Sequence, residues 1–125
     1  HCISSAASDV YKRQQWERHN IENPHFYDLM YLPQTGMYAR LHLGGIEFDA
    51  TRDILNLMDD RDLYLTFFDK DFVVVGEAKL PSHRYNYFTG WMETNDGVAL
   101  FVDNSLDENE KTEELVLDIV RLQAD

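Results

Sequence analysis

The stretch Leu63-Tyr64-Leu65-Thr66-Phe67-Phe68-Asp69-Lys70-Asp71-Phe72-Val73-Val74-Val75-Gly76-Glu77-Ala78-Lys79-Leu80 decides the fold. At its middle, Asp69-Lys70-Asp71 is a three-residue polar turn between two apolar runs, Leu63 to Phe68 and Phe72 to Leu80. Two strand-length runs around so short a polar break read as a β-hairpin. Phe67, Phe68, Phe72, Val73, Val74 and Val75 place apolar groups on both faces of it. A strand that is apolar on both sides is expected to be covered on both sides, so the hairpin belongs among stacked sheets.

The same rhythm continues toward the N-terminus. Phe26 to Leu32 alternates Tyr27, Leu29, Tyr31 against Phe26, Asp28, Met30, Leu32, and Gly36 to Leu43 alternates Met37, Ala39, Leu41, Leu43 against Tyr38, Arg40, His42. Period two marks strands, and Pro33-Gln34-Thr35-Gly36 supplies the turn between them. Gly44-Gly45 ends the second strand, and residues 46–62 read as a long excursion with at most one or two helical turns around Ile54, Leu57 and Met58. Residues 15–24, with Trp16 and Ile21 as their only large apolar groups, read as an incoming loop.

Toward the C-terminus, Pro81 breaks the run and residues 82–86 form a loop. Tyr87 to Thr94 reads as a strand interrupted by Gly90, and Asn95-Asp96-Gly97 turns the chain into a strand over Val98 to Val102. Residues 113–123 are ambiguous. Ser105 followed by Glu108 resembles a capping box and Leu115, Ile119 and Leu122 share a helical face, yet period two fits the same residues. Four antiparallel strands followed by three make a repeated sheet unit that stacks face to face, as propeller blades do. The expected fold is therefore all-β: antiparallel four-stranded sheets forming about two blades of an incomplete β-propeller, the last lacking a strand.

Composition bounds the function. With 125 residues there is room for one small domain, and 44% hydrophobic and 13% aromatic residues are too many for a disordered chain. A formal charge of −12 repels phosphate backbones and argues against nucleic acid as a partner. No apolar run is long enough to span a membrane. The single cysteine, Cys2, makes no internal disulfide.

Residues 4–14, Ser4-Ser5-Ala6-Ala7-Ser8-Asp9-Val10-Tyr11-Lys12-Arg13-Gln14, resemble the translation of a sequencing adapter. Residues 1–14 are accordingly read as an artefact of assembly and set apart from the fold. On that reading the frame is entered within a gene, and a signal peptide or lipid anchor would lie upstream. The remaining boundaries are a linker over 15–24, a propeller-like blade over 25–81 and an incomplete final blade over 82–125.

Asn23-Pro24-His25-Phe26-Tyr27-Asp28, Met37 to Leu43, Phe67 to Phe72, Val75-Gly76-Glu77-Ala78-Lys79-Leu80-Pro81, the Asn95-Asp96-Gly97 turn and Leu117 to Leu122 together resemble the C-terminal part of an uncharacterised bacterial family. Its members are six-bladed β-propeller-like proteins, many of them predicted envelope lipoproteins. The resemblance implies an extended final segment, a place in the bacterial cell envelope, and packing of this chain on N-terminal blades. These motifs are structural punctuation and contain no catalytic signature.

Residues able to carry chemistry are few. His19, His25, His42 and His83 show no metal-ligand spacing, and phosphate loops and nucleophile elbows are absent. Asp103, Ser105, Asp107, Asn109 and Glu114 overlap the ligand spacing of a Ca²⁺ loop, but Glu108 stands where the sharp turn needs glycine. A solvated acidic loop explains the same residues, and no other cofactor is indicated. His83, Arg84, Tyr85, Tyr87, Phe88 and Trp91 form an aromatic and basic stretch that could stack a sugar or grip a peptide, or simply pack between blades. Arg84, Tyr85, Tyr87, Trp91, Arg40 and His42 are the ligand-binding candidates. The expected function is a non-enzymatic binding or scaffold module for a peptide, glycan or protein. Two alternatives compete: a channel-lining hydrolase or lyase drawing on Asp28, Arg40, His42 and Arg84, and a free-standing small β domain. For the enzyme, the test is whether those four side chains converge on one cavity.

Overall fold

The computed structural model describes residues 2–85, 90–102 and 116–123. In chain order the elements are α1 (Cys2–Glu22), β1 (His25–Phe26), β2 (Met30–Leu32), β3 (Met37–Leu43), α2 (Ile54–Asp59), β4 (Leu63–Phe68), β5 (Val74–Leu80), β6 (Trp91–Glu93), β7 (Gly97–Phe101) and β8 (Leu117–Arg121). All strand pairings are antiparallel. The first sheet runs β1-β3-β4-β5 with β2 beside β3, and the second runs β6-β7-β8. The two sheets are open, and the protein is all-β in its architecture, consistent with an incomplete propeller-like fold.

The inner faces of the two sheets share one core. Ala39, Leu41 and Leu43 of β3 and Leu63, Leu65 and Phe67 of β4 meet Val98 and Leu100 of β7 in a single buried cluster, with Val120 and Leu122 packed against it. At Gly76 the sheets come close enough that the tip of the Leu122 side chain lies over it, 2.6 Å from where a Cβ would stand. Residues 117–121 form β8, paired with β7 from Gly97↔Arg121 to Phe101↔Leu117, so the ambiguity over this stretch resolves to strand. The short helix Ile54–Asp59 lies inside the expected excursion, its N-terminus capped by the Asp53 carboxylate.

Three local differences from the sequence reading have clear causes. Residues 15–22 are helical, not a loop. The pairs Arg13–Glu17 and Arg18–Glu22 support the helix, Ile21 is 1% exposed and anchors it, and Pro24 prevents its continuation. The expected strand Phe26–Leu32 is divided into β1 and β2. Phe26 pairs with His42 and Met30 with Ala39, so residues 27–29 face only residues 40–41. The extra residue shifts the phase of the alternation, placing Met30 and Leu32 in the core and leaving Leu29 outside. Third, β5 begins at Val74 instead of Phe72. Asp69 accepts hydrogen bonds from the backbone N–H groups of Asp71 (2.9 Å) and Val73 (3.0 Å), and Phe72 is turned to a φ of 62°.

The outer faces are open. Phe72, Val73, Val74 and Val75 are 57%, 58%, 56% and 45% exposed, where coverage on both sides was expected. On the opposite side of the stack Met92, Leu117 and Ile119 are exposed as well.

Candidate functional site

Strand β3 sends Ala39, Leu41 and Leu43 into the core and therefore turns Tyr38, Arg40 and His42 outward. Pairing with β4 sets Tyr64, Thr66 and Phe68 beside them (His42↔Tyr64, Arg40↔Thr66, Tyr38↔Phe68), and pairing with β1 sets Phe26 beside His42. A side-by-side array of rings and charged groups results. The Arg40 guanidinium lies over the Phe26 ring at 4.4 Å and over the Phe68 ring at 5.3 Å. His42 stacks on Tyr64, with ring centres 4.9 Å apart and planes 12° apart. Thr66 donates a 2.9 Å hydrogen bond to the Glu77 carboxylate.

Two polar atoms of this array, Arg40 Nε and His42 Nδ1, are buried and have no hydrogen-bond partner among the described residues. Burial holds the His42 imidazole below its ordinary pKa, opposed by nearby Glu77 and reinforced by the Arg40 charge, so the ring is neutral near pH 7. Beside Arg40 opens a cavity of about 360 Å³ lined by Phe26, Tyr27, Asp28, Leu29, Arg40, Phe68 and Phe72. The residue inserted between β1 and β2 shapes its rim, because the irregularity at residues 27–29 carries Asp28 and Leu29 outward.

The other expected site residues lie elsewhere. The Arg84 guanidinium donates to both carboxylate oxygens of Asp118 on β8 (2.8 and 3.3 Å), and the Tyr85 hydroxyl donates to the same carboxylate at 2.7 Å. These bonds hold Asp118 below the usual carboxylate range. Together with the Tyr85↔Val102 bridge they form a clasp that ties the connecting loop to the second sheet. Trp91 packs edge-on against Tyr27 at 4.5 Å between the sheets. Tyr87 and the residues of the Ca²⁺ reading, Asp103, Ser105, Asp107, Asn109 and Glu114, lie outside the described residues. Of the four catalytic candidates, Asp28 and Arg40 share a cavity, His42 is the next outward residue on β3, and Arg84 sits with Asp118.

A second cavity, about 370 Å³, lies beneath α1 and is lined by Trp16, Ile21, Tyr27, Leu43, Met58 and Arg61 among others. Arg61 is 4% exposed and its donors are spent on the carbonyls of Gly44 (2.8 Å), Asn20 (2.8 Å) and Asn23 (2.7 Å). It was missed in the sequence because it sits within Asp59-Asp60-Arg61-Asp62, where one basic residue reads as solvated. The signal that could have found it is its place directly ahead of a core strand.

The fold is similar to that of a crystal structure of a DUF4221-family member from Bacteroides vulgatus, with a TM-score of 0.66 and 17% sequence identity over 90% of this chain. The match covers 32% of that protein, so this chain spans about a third of its length. No family model and no curated protein matches the chain. Among the described residues no helix is long and apolar enough to cross a membrane, and no group of three or more His, Cys, Asp or Glu residues is placed to hold a metal ion.

Proposed function

We propose that this chain is a non-enzymatic binding or scaffold module, the C-terminal two-sheet part of a longer bacterial envelope protein of propeller type. The observation that carries the reading is the pair of open apolar faces on opposite sides of one stack: Phe26, Tyr31 and Val75 on the first sheet, Met92, Leu117 and Ile119 on the second. Apolar surface on both sides of a two-sheet stack fits a unit that continues into further sheets in each direction. The partner of each face is then another antiparallel sheet of the same polypeptide. Coverage of about a third of a larger solved protein supports the same reading.

The channel-lining hydrolase or lyase is less well supported, because Arg84 is engaged by Asp118 and does not join Asp28, Arg40 and His42. The test is the association state of the 125-residue chain by size exclusion with light scattering, beside Val75→Lys and Ile119→Lys variants. The chain alone is expected to self-associate with rising concentration, and each lysine to reduce this. A monomer with sharp, reversible unfolding overturns the proposal in favour of a free-standing β domain.

A further inference from the structure

Arg40 differs from the other arginines in what answers its charge. Arg13, Arg18, Arg52, Arg84 and Arg121 each have a carboxylate within 4.0 Å. Arg61 has three carbonyls. Arg40 has neither among the described residues, although the chain carries 23 Asp and Glu residues against 11 Lys and Arg. Its Nε is removed from water between Phe26 and Phe68, where an N–H without an acceptor is costly. The rings hold the guanidinium plane while supplying no lone pair, and the adjoining cavity of about 360 Å³ is walled by Phe26, Leu29, Phe68 and Phe72. A preoriented cation at an apolar opening is complementary to an anion mounted on an apolar body.

We infer that the Arg40 cleft receives a carboxylate carried next to an apolar side chain on the polypeptide that covers the first sheet. This rests on the proposed function, in which that face is covered. The guanidinium binds the carboxylate, and the Phe68 and Phe72 side of the cavity takes the neighbouring apolar group. Asp28 on the rim opposes the incoming charge and so limits affinity.

The probe is 3-phenylpropionate, compared with its uncharged amide, titrated into the full chain while the Arg40 Nε–H resonance is followed by NMR. The carboxylate is expected to shift that resonance saturably and to bind about tenfold more tightly than the amide. Arg40→Gln should abolish the preference, and Asp28→Asn should strengthen carboxylate binding. Rising salt should weaken it. Equal binding of acid and amide, or no shift with either, overturns the inference. Val75→Lys separates the two layers: if it leaves self-association unchanged, the covered-face reading falls, whereas lost carboxylate selectivity with that effect intact removes only the role of Arg40.

Discussion

Truncating Arg61 tests the junction between α1 and the first sheet. Its guanidinium joins three segments through the carbonyls of Asn20 and Asn23 at the end of α1 and Gly44 after β3, at 2.7–2.8 Å. Burial pulls its pKa down and the nearby Tyr27 opposes this, but an arginine keeps its charge at any ordinary pH. Hydrogen bonds to a charged donor contribute about 1.5–3 kcal/mol each. Water entering the emptied site would recover part of that sum, so Arg61→Ala should cost about 3–5 kcal/mol. Arg61→Lys keeps the charge but lacks the planar fork, cannot reach all three carbonyls, and should cost about half as much. Urea unfolding at low micromolar concentration, in the Val75→Lys background and read by far-ultraviolet circular dichroism, measures both. Helical signal should be lost at lower urea than strand signal in the alanine variant, since α1 loses two of its anchoring bonds. If Arg61→Ala stays within about 0.5 kcal/mol of its parent, the three bonds do not hold the helix and the reasoning fails.

Other expectations follow from single contacts. Asp118 is held below the usual carboxylate range by Arg84 and Tyr85, so its contribution is present above the unfolded-state pKa and lost as pH falls through the folded one. Asp118→Asn should remove that acid dependence in a denaturation series, and an unchanged dependence would discount the clasp. His42 is also depressed, chiefly by burial, so the unfolded chain takes up its proton first and stability falls as pH drops below about 6.5. His42→Phe keeps a stacked ring on Tyr64 and should flatten the profile there; an imidazole NMR titration with a midpoint above about 6.5 would contradict it. Gly45→Ala drives a Cβ into the backbone carbonyl of Glu22 and should destabilise by about 1–3 kcal/mol, whereas Gly76→Ala displaces only the flexible tip of Leu122 and should be nearly neutral. Equal denaturation midpoints for the two variants would refute that distinction.

The strands were legible wherever their two faces differ in polarity or a polar turn bounds them. Leu63–Phe68 is a strand over the expected residues and Met37–Leu43 falls one residue short of the expected start. The helix over residues 15–22 was hidden because its support is charge spacing and one buried isoleucine, not a periodic apolar stripe. The division at residues 27–29 was hidden for a related reason: apolar residues occur in both phases of Phe26 to Leu32, so period two runs on without a break. In the candidate site, the shared face of Arg40 and His42 was readable from their i, i+2 spacing. Their ring walls were not, because Phe26 and Phe68 reach them only through strand pairing across the sheet.

Three arginines show how this chain distributes its few positive charges. Arg84 is exposed and meets Asp118 in two hydrogen bonds, an arrangement that water screens and that anchors a loop at modest gain. Arg61 is buried but answered three times by backbone, so its desolvation is offset inside the chain. Arg40 is ordered by rings and answered by nothing among the described residues. Cation–π contact returns about 0.5–2 kcal/mol, while a desolvated N–H left without an acceptor costs about 1–3 kcal/mol. A site that breaks roughly even by itself gains when an acceptor arrives, because the orienting entropy has already been spent. On the proposed reading of a covered face, Arg40 and the open ring-lined surface around it therefore make a single case: the missing acceptor among the described residues marks where the covering segment would have to be polar.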